Sequence, residues 1–205
     1  MIIRLFACFL LLSVAGCATQ RNELLQEMPT PVMHEGFAPY PEDSTEKLVW
    51  DQKKRLAWHD FRKDKVLAQT EAAESWTGIE FSGNCENGEF TFEVDAIFHR
   101  DSSWVVPGRW NERLLDHEQG HFDLAELYAR KLSQALRNLE SPCENMELTR
   151  GLIQNILQLN QQQLEQEQRR YDIETRHGTN RKRQESWNEF LRSQLFVPET
   201  SAETH

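Results

Sequence analysis

Residues 111–139 hold no proline and a single glycine, Gly120, and their apolar positions recur at helical spacing: Leu114, Leu124, Ala125, Tyr128, Leu132, Ala135, Leu136 and Leu139. Such a stripe is buried only if the segment forms one long helix laid against a core, so the rest of the chain has to pack around it. Pro107-Gly108 precedes it and Ser141-Pro142 breaks it. A second helix is expected from about residue 145 to the neighbourhood of Tyr171, burying Leu152, Ile153, Ile156, Leu157 and Leu159, with its polar stretch 160–170 in solvent. Gly178 marks a stop. A third helix at 182–196 offers Trp187, Phe190, Leu191 and Leu195.

Ahead of the long helix the period changes from 3.6 to 2. Segments 77–81 and 90–98 flank the turn-rich stretch 82–88, the pattern of a hairpin. In the second segment Phe90, Phe92, Val94, Ala96 and Phe98 share one face, while Glu89, Thr91, Glu93 and Asp95 take the other. Strands first and helices afterwards indicate an α+β fold, a small antiparallel sheet followed by a helical half. No internal repeat is present.

Inside the long helix lies His117-Glu118-Gln119-Gly120-His121, an HExxH sequence. Residues four apart on a helix differ by about 40° around the axis and about 6 Å along it, so both imidazoles reach one metal ion from one face. Glu118 is turned about 100° from His117, a poor position for ligation but a good one for contacting a water on the metal. Zinc lowers the pKa of such a water towards 7, and a carboxylate beside it can accept the proton as the water attacks a carbonyl. Peptide-bond hydrolysis is the reaction this spacing serves. The bland alternative is a buried structural pair, but two histidines on the apolar stripe would be costly without a partner.

The N-terminus sets the compartment. Residues 1–16 carry one charge, Arg4, followed by an apolar run from Leu5 to Val14, too short to span a bilayer and laid out as a secretory signal. It ends Val14-Ala15-Gly16-Cys17, which resembles the cleavage and lipidation box of bacterial lipoproteins. That resemblance implies a lipidated Cys17, anchored by several acyl chains. With Ala18 after it, by likeness to Gram-negative sorting, the implied location is the outer membrane, facing the periplasm. The expected organisation is a signal peptide at 1–16, a lipidated N-terminus and proline-rich tether at 17–47, the domain at 48–197 and a disordered tail at 198–205.

Removing the signal takes away Arg4 and moves the formal net charge from −10 to −11. That balance argues against nucleic acid as a partner and against charge-driven binding to anionic lipid, so membrane attachment falls to the lipid anchor. With Cys8 in the signal and Cys17 lipidated, Cys85 and Cys143 remain, a pair that in an oxidising compartment reads as a disulfide. Closing so long a loop stabilises a domain by about 4 kcal/mol on chain entropy.

Spacing alone leaves the third metal ligand open. If the first two helices pair antiparallel about Ser141-Pro142, the histidines face residues 163–167, and Glu165 is the nearest carboxylate. His177 lies roughly 15 Å beyond along a continuing helix but can fold back if the helix ends near Asp172. Glu140 suits another zinc-peptidase spacing but falls in the loop.

Four stretches carry a family resemblance: Leu56-Ala57-Trp58-His59-Asp60-Phe61; Ser103-Trp104-Val105; Leu115-Asp116 followed by the HExxH segment and Phe122-Asp123; and Tyr171-Asp172-Ile173-Glu174-Thr175-Arg176-His177-Gly178. Together they resemble an uncharacterised bacterial family described as predicted secreted Zn-dependent proteases, over about residues 48–190. The resemblance implies a zincin-like domain with one zinc ion, His177 as the third ligand beside His117 and His121, Tyr171 stabilising an oxyanion and Asp172 orienting a ligand. The family's cysteines fall at Cys85 and Cys143, in keeping with a bridge. Some relatives have glycine where this chain has Arg176.

The expectation is an envelope-anchored zinc metallopeptidase acting on protein or peptide, with Glu118 as general base. An amidase cutting peptidoglycan stem peptides would use the same chemistry. The alternative of another class is a non-catalytic lipoprotein that keeps the metal and disulfide as staples and binds a protein partner. An open coordination position separates the two, since a catalytic zinc keeps a water and a structural one is closed by a fourth protein ligand.

Overall fold

Among the described residues, an asparagine starts each of the three α-helices. The side chains of Asn111, Asn145 and Asn180 accept the backbone N–H of Leu114, Leu148 and Arg183 at 3.0, 3.1 and 3.3 Å, satisfying donors that a helix start leaves unpaired. They set α1 at Glu112–Arg137, α2 at Met146–Thr175 and α3 at Arg181–Leu195. The chain is seen here in a computed structural model that describes residues 46–63, 71–140 and 143–196, all within the unit Gly36–His205. The expected signal peptide, the lipidated Cys17, all but the end of the tether and the tail lie outside the described residues. Among those described, no helix is long and apolar enough to cross a membrane.

The architecture is α+β. Strands β1 (Lys47–Val49), β3 (Thr77–Glu86) and β4 (Glu89–His99) form an antiparallel sheet in the order β1-β4-β3, and β2 (Ala73–Glu74) pairs antiparallel with β5 (Trp104–Val105) in a separate ribbon. The expected hairpin is present, but its turn is far shorter than the stretch 82–88. Asn87 and Gly88 alone make it, with φ of 52° and 83°, a two-residue loop whose left-handed backbone matches the twist of the strands. Gly83 sits inside β3 and is covered by the rings of Phe81 and Phe90, which lie where its side chain would be.

On β4, Ala96 and Phe98 are buried and meet Phe122, Leu124 and Ala125 of α1, with Trp187, Leu191 and Leu195 of α3 completing that cluster. A second cluster, Leu132, Leu136 and Ile153, packs against the phenylalanines of the hairpin. Cys85 and Cys143 are disulfide-bonded, with Cα atoms 5.7 Å apart, tying the hairpin tip to the chain just before α2.

The buried face of α2 differs from the one apolar counting selects. Leu152 and Leu159 are 44% and 58% exposed, whereas Ile153, Asn160, Leu164, Tyr171 and Thr175 are buried along one helical stripe. The polar stretch 160–170 is therefore only partly solvated: Asn160 turns inward to donate to the carbonyl of Tyr128 at 3.0 Å. The pairing register is displaced as well, so that residues 168–172 rather than 163–167 face the histidines of α1.

Candidate metal centre

His117 and His121 lie on the inward face of α1, where α2 crosses closely enough that glycine is required. A Cβ on Gly120 would stand 2.1 Å from the Tyr171 hydroxyl oxygen. Tyr171 fills that space, its ring stacked on His117 at 4.7 Å and edge-on to His121 at 4.9 Å. Past the end of α2 the chain turns through three consecutive residues of positive φ, Arg176 (51°), His177 (50°) and Gly178 (74°). Gly178 slides beneath His117, whose Cβ would be 2.8 Å from any side chain there. The two glycines of the two motifs thus serve one purpose, bringing the second motif against the first.

Three imidazoles converge on one carboxylate oxygen. Asp172 Oδ1 is 3.0 Å from His121 Nε2, 3.2 Å from His117 Nε2 and 3.5 Å from His177 Nδ1. Donor atoms held at about 2.1 Å by a tetrahedral ion are about 3.4 Å from one another, close to the distances of the three histidines from Asp172. His117, Asp172 and His177 present ligand atoms that all lie within 4.8 Å of one another and could hold a metal ion; the expected His121 approaches Asp172 but falls outside that group, and Asp172 stands in it instead.

The surrounding hydrogen bonds point to a cation. The amide nitrogen of Gln184 donates to the Tyr171 hydroxyl at 2.6 Å and to Asn188 at 2.9 Å, so its Oε1 is the atom facing His117 Nδ1 at 3.1 Å. Gln168 likewise donates to the carbonyl of His121 at 2.9 Å and turns its Oε1 to His121 Nδ1. With Nδ1 of each histidine donating to a glutamine oxygen, Nε2 is the atom that faces the carboxylate, where either a metal or a proton can take its lone pair. Asp172 Oδ1 is buried without a properly aimed donor, the orphaned acceptor a metal would satisfy. Without one, a proton takes its place. Burial opposes charge on His121, but the hydrogen bond and Coulombic pull of Asp172, helped by Glu118, raise it to about 9. Burial also works against the Asp172 anion, yet His117 and His121 hold it well below the usual carboxylate range.

Glu118 is buried on the same turn, and its Oε2 accepts a hydrogen bond from Ser75 at 2.7 Å. Ser75 follows β2, which Trp104 steadies by donating its indole N–H to Glu74. A cleft of about 730 Å³ opens over these groups, with Ala73, Ser75 and Thr77 on one side and Leu164, Gln168 and Asp172 on the other. The expected His117, Glu118, His121 and His177 all line it.

Two other expectations change. Tyr171 cannot serve a substrate oxyanion, because its hydroxyl is buried and donates to the carbonyl of His117 at 3.0 Å. Its ionisation is pushed upward, chiefly by burial. Glu165 lines the cleft but sits two turns before Asp172, bonded to Gln161 rather than gathered with the histidines. Asp172 as a direct donor, Gln168, Gln184 and Ser75 are the groups the sequence did not reveal. The inward stripe that carries Tyr171 and Thr175 is the one signal that bore on them.

Residues 42–178 match a bacterial protein family of unknown function, DUF922. No curated protein and no solved structure matches the chain.

Proposed function

We propose that this chain, which belongs to the DUF922 family, is a zinc-dependent peptidase of the bacterial envelope, lipid-anchored through Cys17 at the outer membrane and facing the periplasm. The observation that carries the reading is the meeting of the HExxH nitrogens with Asp172 and His177 beside a buried Glu118 in one open cleft. Zinc bound by these donors supplies a Lewis acid and an activated water. The chain's own groups do the rest. Glu118, held by Ser75, takes the proton of the attacking water and passes it to the leaving nitrogen. Gln168 and Gln184 keep both imidazoles in the tautomer that ligates. The cleft, bounded by the segment around β2, is open and falls within the volume range of ligand sites, so the proposed protein or peptide substrate would enter it as a short stretch of chain.

One observation favours a second reading. If His121, which meets Asp172 but lies outside the group His117, Asp172 and His177, joined them on the ion, the four donors would describe a closed, structural site, as in a non-catalytic lipoprotein stapled by its metal and disulfide. The buried carboxylate of Glu118 in the same cleft supports the enzyme instead. The deciding experiment compares the purified chain with Glu118→Gln for zinc content and for cleavage of unfolded casein and of envelope extracts. The enzyme reading expects about one zinc in both and a loss of at least about 100-fold in rate in the variant. Equal behaviour of the two, with zinc retained, would favour the structural reading.

A further inference from the structure

The four donors are not held alike. His117 and His121 are clamped at both ring nitrogens, Nε2 towards Asp172 and Nδ1 on a glutamine, and their side chains are 2% and 13% exposed. His177 is 57% exposed, touches Asp172 through Nδ1 at the longest of the three distances, and among the described residues has no hydrogen-bond partner on its other nitrogen. Its backbone is held, with the His177 N–H donating to the carbonyl of Asp172 at 3.1 Å. Arg176 and His177, however, both occupy the left-handed region at φ near 50° without being glycine. Each such residue costs of order 1–3 kcal/mol and is found where a clamp or switch needs it. The side chain thus has solvent to swing into and little to restrain it.

We infer that His177 is a displaceable fourth ligand that closes the metal centre at rest. Substrate entering the cleft takes its place, leaving the ion on His117, His121 and Asp172 with a free position beside Glu118. The inference rests on the peptidase reading for what the opened site does, but the ligand exchange stands apart from hydrolysis. It reconciles three histidines gathered on Asp172, which together with it would describe an inert site, with an acid–base group set at the mouth of an open cleft. Because the displaced ligand is uncharged imidazole while Asp172 stays, the ion keeps one anionic protein donor in both states.

The test uses the full-length chain in detergent, loaded with cobalt(II) in place of zinc. Visible absorption reports coordination number, and acetohydroxamate serves as a probe that must displace His177 to bind. In His177→Ala and in His177→Asn, which tolerates the left-handed backbone, about one equivalent of metal is retained. The intense four-coordinate absorption weakens, and acetohydroxamate binds about tenfold more tightly if the closed form is about nine-tenths of the resting population. Loss of metal in both variants, as in His117→Ala, would overturn the inference by making His177 a permanent ligand. Unchanged absorption and hydroxamate affinity would overturn it by removing His177 from the metal altogether. Wild-type chain that shows the exchange yet cleaves no peptide would leave this inference intact and defeat the peptidase reading instead.

Discussion

The phenol of Tyr171 lies flat against the imidazole of His117, planes 13° apart, and its hydroxyl donates to the carbonyl of that same residue at 3.0 Å. The contact exists only because Gly120, one helical turn on, has no side chain. Helix propensity alone favours alanine there by about 1 kcal/mol. The close approach reverses the sign, since an added Cβ would stand 2.1 Å from a buried hydroxyl oxygen. Gly120→Ala is expected to destabilise by about 1–3 kcal/mol net and to lower Tm by about 2–12 °C. Differential scanning calorimetry checks it, and an unchanged or higher Tm would mean the helices are farther apart than described.

Gln184 lies on α3, beyond the matched region 42–178, yet its Oε1 faces Nδ1 of His117, a histidine of the group that could hold a metal ion. Gln184→Met keeps the volume and removes the acceptor, so metal affinity should fall by about 10–100-fold. Gln184→Glu restores an acceptor and makes His117 more basic, so affinity should return to at least the wild-type level. Competition against a chromophoric chelator measures both. Equal affinities across the three proteins would detach α3 from the metal.

These cases also show what a sequence displays and what it hides. Helix positions and the facing of His117 and His121 depend on periods and spacings a few residues long, and they were legible. Asp172, Gln168 and Gln184 reach the histidines only through the register of α2 on α1 and the return of α3, which no local pattern encodes. Polarity misled in a specific way. The inward stripe of α2 includes Asn160 and Thr175 while Leu152 and Leu159 face out, so ranking faces by apolar content chose the wrong one. Asn160 is inside because it satisfies the carbonyl of Tyr128 and Thr175 because it bonds the carbonyl of Tyr171.

Metal uptake should release a proton. In the metal-free fold His121 has its pKa raised from 6.5 to about 9, so its protonated form stabilises the fold fully below about pH 6.5. That contribution is lost as pH rises through about 9. A metal ion displaces the proton, so at pH 7 binding should release about one proton, and affinity should climb about tenfold per pH unit until about pH 9. Asp172, held low, stays ionised throughout and adds no slope. Calorimetric titration in two buffers of different ionisation enthalpy counts the proton. A count of zero at pH 7 would mean His121 is already neutral in the empty site.

Reducing the disulfide should weaken the fold and spare the metal centre. The Cys85–Cys143 bond joins the hairpin tip to the chain three residues before α2 begins, whereas Asp172 lies near the far end of that helix. The intervening helix, at 1.5 Å per residue, separates them by roughly 40 Å. The Phe81 and Phe90 rings, with Leu136 and Ile153, still pack the end the bond ties down, while the metal end has its own core around Phe122, Leu124 and Trp187. Cys85→Ala with Cys143→Ala is therefore expected to lose about 4 kcal/mol, the chain-entropy value for so long a loop. Below the lowered transition, metal stoichiometry and affinity should remain those of the parent. Urea unfolding followed on the intact and double-alanine proteins, each with metal titrated at low urea, measures both quantities. A fall in metal affinity in the folded variant would show that strain at the hairpin reaches the histidines along α1, which spans both cores and is the element able to carry it.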